Sequence, residues 1–486
     1  MKYSILSLLP FFVIALAQDP GEKDLVQNLP GLTFQPNFKT YAGYLNASTD
    51  GKWKMFYVLH ESKNNPSTDP VLVWMNGGPG CSSLAGLLEE LGPWYVDYDG
   101  KQRMRVHPRF ANHSFFLSGE SYAGIYIPML SKRLVEQINN NSFPNKNFQG
   151  AAIGNGFMNV RGLLNALALW SAYHGRISMA AWDYVKKTCA NGNDVDSFDF
   201  SQYTYSSNKI DYVGDNSICG NIVQSLITQN ANGTEGFDQY NFYYDCYDAS
   251  LFQSPTPKLR RRPYFNGTKN LNPNTANLVN RVSNDNQWGY FCWGDNAAAL
   301  WANRRDVQDA LHITQDWRKQ NNSNYHWEDC NTNLYNNYTL TYNTTNQFFN
   351  YVLQNVATKN FRFLIYNGDV DTVCNYLGDA KHINQVAKDN NLKAQCRQGN
   401  CFTDGDRIPW YFSDNQQLAG FYETFKGQNL KGVSTTIDLL TVKGAGHMVP
   451  FDRPAFTAAS TFINPNPNHT NKIIWSNFSS VIHRDL

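Results

Sequence analysis

Five apolar runs along the chain each end in a turn that is rich in glycine or polar residues. Their apolar positions follow one another without the alternation expected of a strand with one face in water. Such runs are typical of strands buried on both faces of a mostly parallel sheet. Helix-like segments at 82–92 and 126–138 follow two of them, and this order predicts an α/β fold. The runs lie at 70–80, 114–121, 148–156, 361–371 and 435–447.

Between residues 160 and 345 the pattern weakens, and the sequence is rich in Asn, Tyr and Asp. We interpret this region as a cap inserted over the carboxyl edge of the sheet, where the sites of such sheets collect. The predicted organisation is therefore a leader, a core in two parts and a cap between them. The boundaries are a signal peptide at 1–17, core at 18–159, cap at 160–345 and core at 346–486.

The N-terminus has the parts of a secretory signal peptide: Lys2, an apolar run at 5–16 and the small-x-small sequence that ends at Ala17. A membrane anchor is the alternative, but the run contains a proline and is too short to span a bilayer. Ten Asn-x-Ser/Thr sequons and nine cysteines agree with secretion. The formal charge of +1 gives no field for nucleic acid or an anionic membrane. We expect a glycoprotein of the secretory pathway, lysosomal or extracellular.

Ser121 follows the second apolar run, in the stretch SFFLSGESYAGIYIP, between the small residues Gly119 and Ala123. A nucleophilic serine on a sharp strand-to-helix turn requires small neighbours, although the strict motif has glycine where Ala123 stands. The motif alone is weak, and an ordinary serine in a tight turn is the alternative. The interpretation depends on a base and an orienting acid elsewhere in the chain.

Candidate partners for Ser121 stand at two later strand ends. The α/β-hydrolases order their triad as Ser, acid and His. The run at 361–371 ends with Asp369 and Asp371, and the run at 435–447 ends with His447. Turn chemistry is the alternative for either acid, and a core histidine is the alternative for His447. Three strand ends in the required order favour a catalytic triad.

An oxyanion hole requires two backbone N–H groups directed at the developing negative charge. Tyr122, immediately after the serine, is expected to supply one. The turn NGGPG at 76–80 is expected to supply the other from Gly78, and an ordinary Gly/Pro turn is the alternative. No metal-ligand spacing is present, so we expect no metal and no cofactor.

Four motifs in order resemble the serine carboxypeptidases of the cathepsin A and carboxypeptidase Y type: WMNGGPGCSS, SGESYAGIYIP, YNGDVDTVCN and GAGHMVPFDRP. The resemblance covers nearly everything after Gln18 and is weakest in the cap. It implies an α/β-hydrolase fold. It also implies an enzyme that removes C-terminal residues from peptides through an acyl-enzyme at acidic pH. By position, it makes Ser121 the nucleophile, His447 the general base and then acid, and Asp371 the orienting carboxylate.

The resemblance also implies a grip on the C-terminal carboxylate of the substrate, by Asn76, Gly77, Glu90 and Glu120. A carboxyl group binds a carboxylate only if one of the two is protonated, so the two glutamates should have raised, coupled pKa values. Without the family, an exposed helix residue is the better interpretation of Glu90. The expected partners are peptides or proteins with a free C-terminus, without nucleic acid or a membrane span, and a homodimer is left open.

Eight of the nine cysteines are expected to form disulfides. Cys374, three residues after Asp371, is the expected free thiol near the site. The resemblance implies the pairs Cys81–Cys330 and Cys246–Cys292. Closeness in sequence suggests the pairs Cys189–Cys219 and Cys396–Cys401.

One segment departs from the family pattern. Between NGGPG and Ser121 the family has an extra strand and helix, but this chain connects the two landmarks through polar and charged residues, with a seam near 106–108. We expect one central strand and one helix to be missing. Each backbone group left unpaired and buried costs about 1–3 kcal/mol, against a net stability of about 5–15 kcal/mol. The shortened chain is therefore expected to fold poorly or to have little activity.

Two other functions fit the same scaffold. An acyltransferase shares the triad and replaces water by another nucleophile, but the intact carboxylate-binding set favours the peptidase. A binding or protective protein would use the fold as a surface without catalysis, and the missing segment keeps this alternative open.

Overall fold

The five apolar runs form five neighbouring strands of one sheet. The structure is a computed structural model, in which these strands lie side by side and parallel, as their continuous apolarity predicts. The residues that it describes are 21–32, 34–48, 50, 52, 54–63, 65–92, 113–143, 145–206, 212–227, 237–245, 296–313, 326–395, 407–411 and 417–453.

The strands in this part of the chain, numbered in chain order, are β1 Thr40–Asn46, β2 Lys54–His60, β3 Val71–Met75, β4 Phe115–Ser121, β5 Phe148–Gly156, β6 Thr204–Tyr205, β7 Val213–Gly214, β8 Phe237–Asp238, β9 Asn241–Asp245, β10 Phe361–Gly368, β11 Lys393–Ala394, β12 Ile408–Tyr411, β13 Leu418–Gln428 and β14 Ser434–Val442. The main sheet has the order β11, β13, β14, β10, β5, β4, β3, and β12 pairs with β13. Three antiparallel pairs, β1–β2, β6–β7 and β8–β9, lie apart from it.

The α-helices, numbered in the same way, are α1 Ser83–Ala85, α2 Ala123–Asn139, α3 Val160–Tyr173, α4 Met179–Tyr184, α5 Ile218–Ile227, α6 Asn296–Ala302, α7 Arg305–Ala310, α8 Thr332–Asn337, α9 Asn346–Asn355, α10 Tyr376–Asp389 and α11 Val449–Asp452. A π-helical turn, Gly86–Glu90, continues α1, and another, Val185–Cys189, continues α4. Asparagine side chains begin two of the long helices: Asn159 Oδ1 accepts from Gly162 N, and Asn375 Oδ1 accepts from Gly378 N.

Burial on both faces explains why the strands read as continuous apolar runs. In β10, Phe361, Phe363 and Ile365 belong to the large core beneath α2, α9 and α10. The alternate residues Leu364 and Tyr366 belong to a second core with Trp410. Since β10 pairs with β5 on one side and β14 on the other, it has no free edge. The α/β architecture with a mostly parallel sheet is therefore confirmed.

β3 is the last strand of the sheet among the described residues, and it pairs with β4 alone. Its five residues are all apolar, yet none is fully buried and Val73 is 37% exposed. An exposed apolar edge is unusual, since edge strands are normally protected by charges or covered. This position agrees with the predicted loss of a neighbouring strand. The predicted seam near 106–108 lies outside the described residues.

Two of the predicted disulfides are present, Cys81–Cys330 and Cys189–Cys219, and Cys374 is free and buried. The other two pairs, the signal peptide and six of the sequons lie outside the described residues. The remaining four sequon asparagines are all exposed: Asn46, Asn140, Asn337 and Asn343. Within the described ranges no helix has the length and apolarity needed to cross a bilayer. The boundaries of the cap stay a prediction.

We expect the backbone amides of β3 to exchange with deuterium faster than those of β10. Val71 N–H donates to Ser114 O, so the alternate residues Leu72 and Trp74 direct their N–H groups away from β4. Hydrogen exchange of the native chain, followed by mass spectrometry of peptides from the two strands, should show at least about tenfold faster exchange in β3. Equal protection of the two peptides would contradict the edge position.

Candidate active site

Ser121 is the last residue of β4, and its backbone is left-handed, with a φ of 60°. The helix α2 begins two residues later, so the serine lies on a sharp strand-to-helix turn. A Cβ at Gly119 would lie 2.4 Å from Met75 O and 2.7 Å from Ala123 Cβ, which explains the need for small residues here. This is the geometry that exposes a nucleophile above the end of a parallel sheet.

The NGGPG turn lies directly against this serine. A Cβ at Gly77 would be 2.4 Å from Tyr122 N and 2.7 Å from Ser121 Cβ, so only glycine lets the two backbones approach. Gly78, the next residue, has a φ of 107°. The N–H groups of Gly78 and Tyr122 donate no hydrogen bond within the described ranges. The two amides predicted to bind an oxyanion are therefore unused in the structure.

His447 and Asp371 are joined by a hydrogen bond of 2.7 Å between Nδ1 and Oδ2. Asp371 follows β10 and His447 follows β14, which is the neighbouring strand. Both side chains are buried, with 4% exposure for His447 and none for Asp371. Burial by itself would lower the pKa of His447, but the charge and hydrogen bond of Asp371, with the charges of Glu90 and Asp238, raise it overall. Of the two acids left open by the sequence, Asp371 is the one that contacts the histidine.

Asp369 has a different role. Its Oδ1 accepts the Gly444 N–H at 2.6 Å, and burial raises the pKa of its carboxyl. The bond joins the end of β10 to the loop that leads to His447. This is the turn chemistry that the sequence leaves as an alternative for one of the two acids.

Asp371 is surrounded by donors. Val373 N donates to Oδ1 at 2.8 Å, and Cys374 N donates to Oδ2 at 3.0 Å. Asn155 Nδ2, at the end of β5, donates to Oδ2 at 2.8 Å. With His447, four donors hold the orientation of a fully buried carboxylate. Asn155 is a residue that the sequence reasoning missed, although the run at 148–156 was expected to end at the site.

The free thiol of Cys374 lies beside this pair. One ligand atom each of Asp371, Cys374 and His447 lie within 4.8 Å of one another. Burial, followed by the charge of Asp371, raises the pKa of Cys374 well above its ordinary value, so the thiol stays protonated. The free cysteine thus lies beside the Asp371–His447 pair, and its protonated state makes it a poor nucleophile.

Ser121 Oγ has no hydrogen-bond partner among the described residues, so the bond between serine and histidine is not formed in the structure. Hydrogen bonds between catalytic groups are often long without substrate and tighten when it binds. Glu90 interacts with groups near both residues. Its charge acts on His447, and its carboxylate accepts from Asn76, which is next to the turn that contacts Ser121.

The predicted carboxylate-binding residues are brought together around Asn76. Its Nδ2 donates to Glu90 Oε1 at 3.2 Å and to Glu120 Oε1 at 3.3 Å. Its Oδ1 accepts from Trp74 Nε1 and from Gly86 N, which fixes the direction of the amide. The second oxygen of each glutamate, Oε2, is buried and accepts no bond within the described ranges.

This lack of donors determines the charge of the pair. Burial is the main cause that raises the pKa of Glu90, while hydrogen bonds to Glu120 and Asn76 oppose it. Burial and then the charge of Glu90 raise the pKa of Glu120 well above its ordinary value. The pair therefore binds at least one proton under conditions where an exposed glutamate is ionised.

A segment of the predicted cap region covers the histidine, which the sequence did not indicate. The ring of Tyr240 packs over the His447 ring at 4.9 Å between centroids, and the backbone N–H of His447 donates to the backbone carbonyl of Tyr240 at 2.6 Å. Asp238 Oδ1 accepts from Tyr240 N, and burial raises the pKa of Asp238 to about 7. The weak periodicity of the region gave no signal for these contacts.

Comparison with known proteins gives the family. The family model described as serine carboxypeptidase matches residues 30–106 and 101–465 of the chain. The chain belongs to the serine carboxypeptidase family. The two matched pieces meet at 101–106, beside the predicted seam.

Members of the serine carboxypeptidase family match along almost their whole length. The Caenorhabditis elegans serine carboxypeptidase ctsa-3.1 is 53% identical over 530 aligned positions, which include 93% of this chain and 90% of that protein. Since 93% of 486 residues is about 452, about 78 aligned positions lie opposite gaps in this chain. The lysosomal protective protein of Mus musculus is 28% identical, with 92% and 94% of the two chains covered.

A solved structure supports the fold. The crystal structure of Kex1(delta)p, a prohormone-processing carboxypeptidase from Saccharomyces cerevisiae, superposes with a TM-score of 0.57 at 18% identity and covers 90% of this chain and 95% of that one. The fold is that of the α/β-hydrolases, and the protein is a serine-type carboxypeptidase, a hydrolase whose substrates are peptides.

We expect Gly77→Ala to lower kcat by about 10²- to 10³-fold, the usual effect of losing one oxyanion donor. The added methyl group would collide with Tyr122 N and Ser121 Cβ and push the two turns apart. Steady-state kinetics on a blocked dipeptide, with circular dichroism to check folding, measures the effect. Gly432→Ala is the control, because its left-handed backbone is strained by alanine but the surrounding space is open and remote from Ser121. A Gly77→Ala enzyme with unchanged kcat would contradict the proximity of the two turns.

Proposed function

We propose that Ser121, His447 and Asp371 are the catalytic triad of this serine carboxypeptidase. The observation that carries the proposal is the buried 2.7 Å bond between His447 Nδ1 and Asp371 Oδ2. Since Nδ1 donates to the carboxylate, Nε2 is the basic nitrogen of the neutral imidazole and is free to take a proton. The order of the three residues along the chain is the order used by α/β-hydrolases.

The reaction then follows from these positions. Nε2 of His447 takes the Ser121 hydroxyl proton as Oγ attacks the carbonyl carbon of the last peptide bond. The N–H groups of Gly78 and Tyr122 bind the oxyanion that forms. The imidazolium gives its proton to the departing amino acid, and an acyl-enzyme remains on Ser121. Water, deprotonated by His447, releases the shortened peptide and restores the serine.

The carboxylate of the departing residue is bound by Asn76, Gly77, Glu90 and Glu120. The supporting observations are the shared Asn76 amide and the two buried glutamate oxygens without donors. A protonated glutamate donates a hydrogen bond to the carboxylate, whereas an ionised pair repels it. Binding is therefore strongest at acidic pH. The base has the opposite requirement, because His447 must be neutral, so kcat/KM has a bell-shaped pH profile.

The site of action that we infer is an acidic compartment of the secretory pathway, the lysosome, or the extracellular space. The signal-like N-terminus, the exposed sequon asparagines and the two disulfides support this inference. A lysosomal protective protein is among the relatives. The low pH of a lysosome would keep the glutamate pair protonated.

Ser121→Ala is expected to abolish labelling by a fluorophosphonate probe and to lower kcat by about 10⁴-fold or more. Labelling is read by gel fluorescence and hydrolysis by release of the C-terminal amino acid. Ser131→Ala is the matched control, because Ser131 is a buried serine of α2 whose Oγ has no partner in the described structure.

Wild-type enzyme should hydrolyse a blocked dipeptide free acid much faster than its amide. Equal rates would favour acyl transfer or another hydrolase, and an unlabelled, well-folded wild type would favour the non-catalytic alternative.

Glu120→Gln is expected to remove most of the pH dependence of KM. In the wild type, KM for a free-acid dipeptide should rise at least about tenfold as the pH is raised from acidic to alkaline, because the pair becomes ionised at a pH above that at which an exposed glutamate does. Glutamine cannot ionise, so the rise should fall to about threefold or less. The blocked dipeptide amide, which has no carboxylate, is the control substrate. An unchanged KM profile in Glu120→Gln would contradict the role of the pair.

A further inference from the structure

We propose that Asn155 is a positioning residue for catalysis, which holds Asp371 in the orientation that it needs to bind His447. The proposal rests on the assignment of Asp371 to the triad, and it assigns a function to a residue at the end of β5. Asn155 Nδ2 and His447 Nδ1 donate to the same oxygen, Asp371 Oδ2, at 2.8 Å and 2.7 Å. The Asn155 amide therefore fixes the orientation of the Asp371 carboxylate, and with it the direction from which Oδ2 accepts the His447 N–H.

The hydrogen bonds leave the Asn155 amide only one orientation. Its Oδ1 accepts the Gly368 N–H at 2.9 Å, and an acceptor is required there. The donor side, Nδ2, consequently faces Asp371 Oδ2 and, at 3.3 Å, the carbonyl of Cys374. The Asn155 side chain thus joins Gly368, the last residue of β10, to Asp371 and Cys374 in the loop that follows. It is fully buried, so water cannot replace these bonds without a rearrangement.

The backbone of Asn155 also restricts what can stand there. Its φ is 38°, in the left-handed region that asparagine, aspartate and glycine tolerate better than other residues. Glutamine would lack this tolerance, and its additional methylene would displace the amide from its partners in this fully buried position. Among residues that fit the backbone, only asparagine carries a donor and an acceptor that are both independent of pH.

A second buried group stabilises this turn from below. Asp379, in α10, accepts the N–H of Gly156 at 2.9 Å and the amide of Asn367 at 2.7 Å through Oδ2. Burial raises the pKa of Asp379 well above its ordinary value, so its carboxyl takes up a proton more readily than an exposed aspartate does. The helix that follows the Asp371 loop therefore holds the residue next to Asn155. Both sides of the Asn155–Gly156 turn are fixed by the segment that contains Asp371.

Two variants separate positioning from mere packing. Asn155→Gly fits the left-handed backbone and removes the amide, and it should lower kcat about 10- to 100-fold with KM changed less than about threefold. Asn155→Asp also fits. Its carboxyl can donate to Asp371 only when protonated, so this variant should keep more of its kcat at about pH 5 than at higher pH, where the introduced acid loses its proton. Asn155 contacts Asp371 directly, and the described titratable groups that interact electrostatically with Asp371 come from every element around it: Asp379, Cys374, Glu120, His447, Asp238 and Tyr240.

Asn375→Gly is the matched structural control. Asn375 is equally buried and makes two comparable bonds, to Leu163 O and from Gly378 N, but it does not contact Asp371. It should lower the melting temperature as much as Asn155→Gly does, while the pH profile of kcat stays that of the wild type. A new titration in kcat that appears only in Asn155→Asp would be unexplained by a structural role.

A readout that needs no turnover is the proton on His447 Nδ1. In the wild type this proton, held at 2.7 Å from a carboxylate, should give a far-downfield resonance in the proton NMR spectrum of the full chain. Asp371→Asn should abolish it, and Asn155→Gly should shift or broaden it, whereas Asn375→Gly should leave it in place. Active-site titration with the fluorophosphonate probe normalises kcat for the folded fraction.

The outcomes distinguish the two levels of the proposal. If Asp371→Asn leaves both the resonance and kcat unchanged, the assignment of the triad is wrong. If Asp371→Asn removes them but Asn155→Gly preserves the resonance and kcat, the triad stands and the role of Asn155 is overturned. Loss of kcat in Asn155→Gly with an intact resonance, and no new titration in Asn155→Asp, would likewise overturn it.

Discussion

The hydrogen bond between His447 and Asp371 is the interaction on which the rest of the site depends. A fully buried carboxylate destabilises the fold unless donors surround it. Two of its donors, the N–H groups of Val373 and Cys374, come from its own loop. The other two come from neighbouring strands, Asn155 at the end of β5 and His447 after β14. The charge is therefore satisfied only when the three strands lie side by side, so the folding of the sheet and the formation of the acid–base pair are coupled.

The glutamate pair of the same cleft has far fewer hydrogen-bond donors around it than Asp371 has. Asp371 is surrounded by four donors, whereas Glu90 and Glu120 share the single amide of Asn76. Their remaining buried oxygens have no donor in the described structure, and the pair takes up a proton instead. The shortage of N–H donors around the glutamate pair thus favours its protonated form. Asn155 orients Asp371 and Asn76 orients the glutamate pair, and in both cases N–H groups that donate to the amide oxygen fix the direction of the amide.

The sequence predicted the parts of this site that follow the chain and missed those that depend on packing. Continuous apolar runs and their turns were enough to identify five adjacent strands, because strands buried on both faces leave that pattern. The spacing did not distinguish Asp369 from Asp371, and only the resemblance and then the contact with His447 did. Asn155 stood in a run that was expected to end at the site, but one polar residue in a glycine-rich turn has an ordinary explanation. Tyr240 reaches His447 from a region without periodicity, so no local pattern indicated it.

The position of β3 separates the site into two halves with different support. Ser121 is the last residue of β4, and Asp371 and His447 follow β10 and β14. Each of these strands is paired on both sides. The NGGPG turn and Glu90 follow β3, which is paired on one side only in the described part of the sheet. A disulfide, Cys81–Cys330, flanked by bonds from Ser82 N to Asp329 O and from Asn331 N to Gly80 O, holds that turn from the other side. The described sheet therefore gives the least support to the half that we propose to bind the oxyanion and the substrate carboxylate, and a covalent bond replaces part of that support.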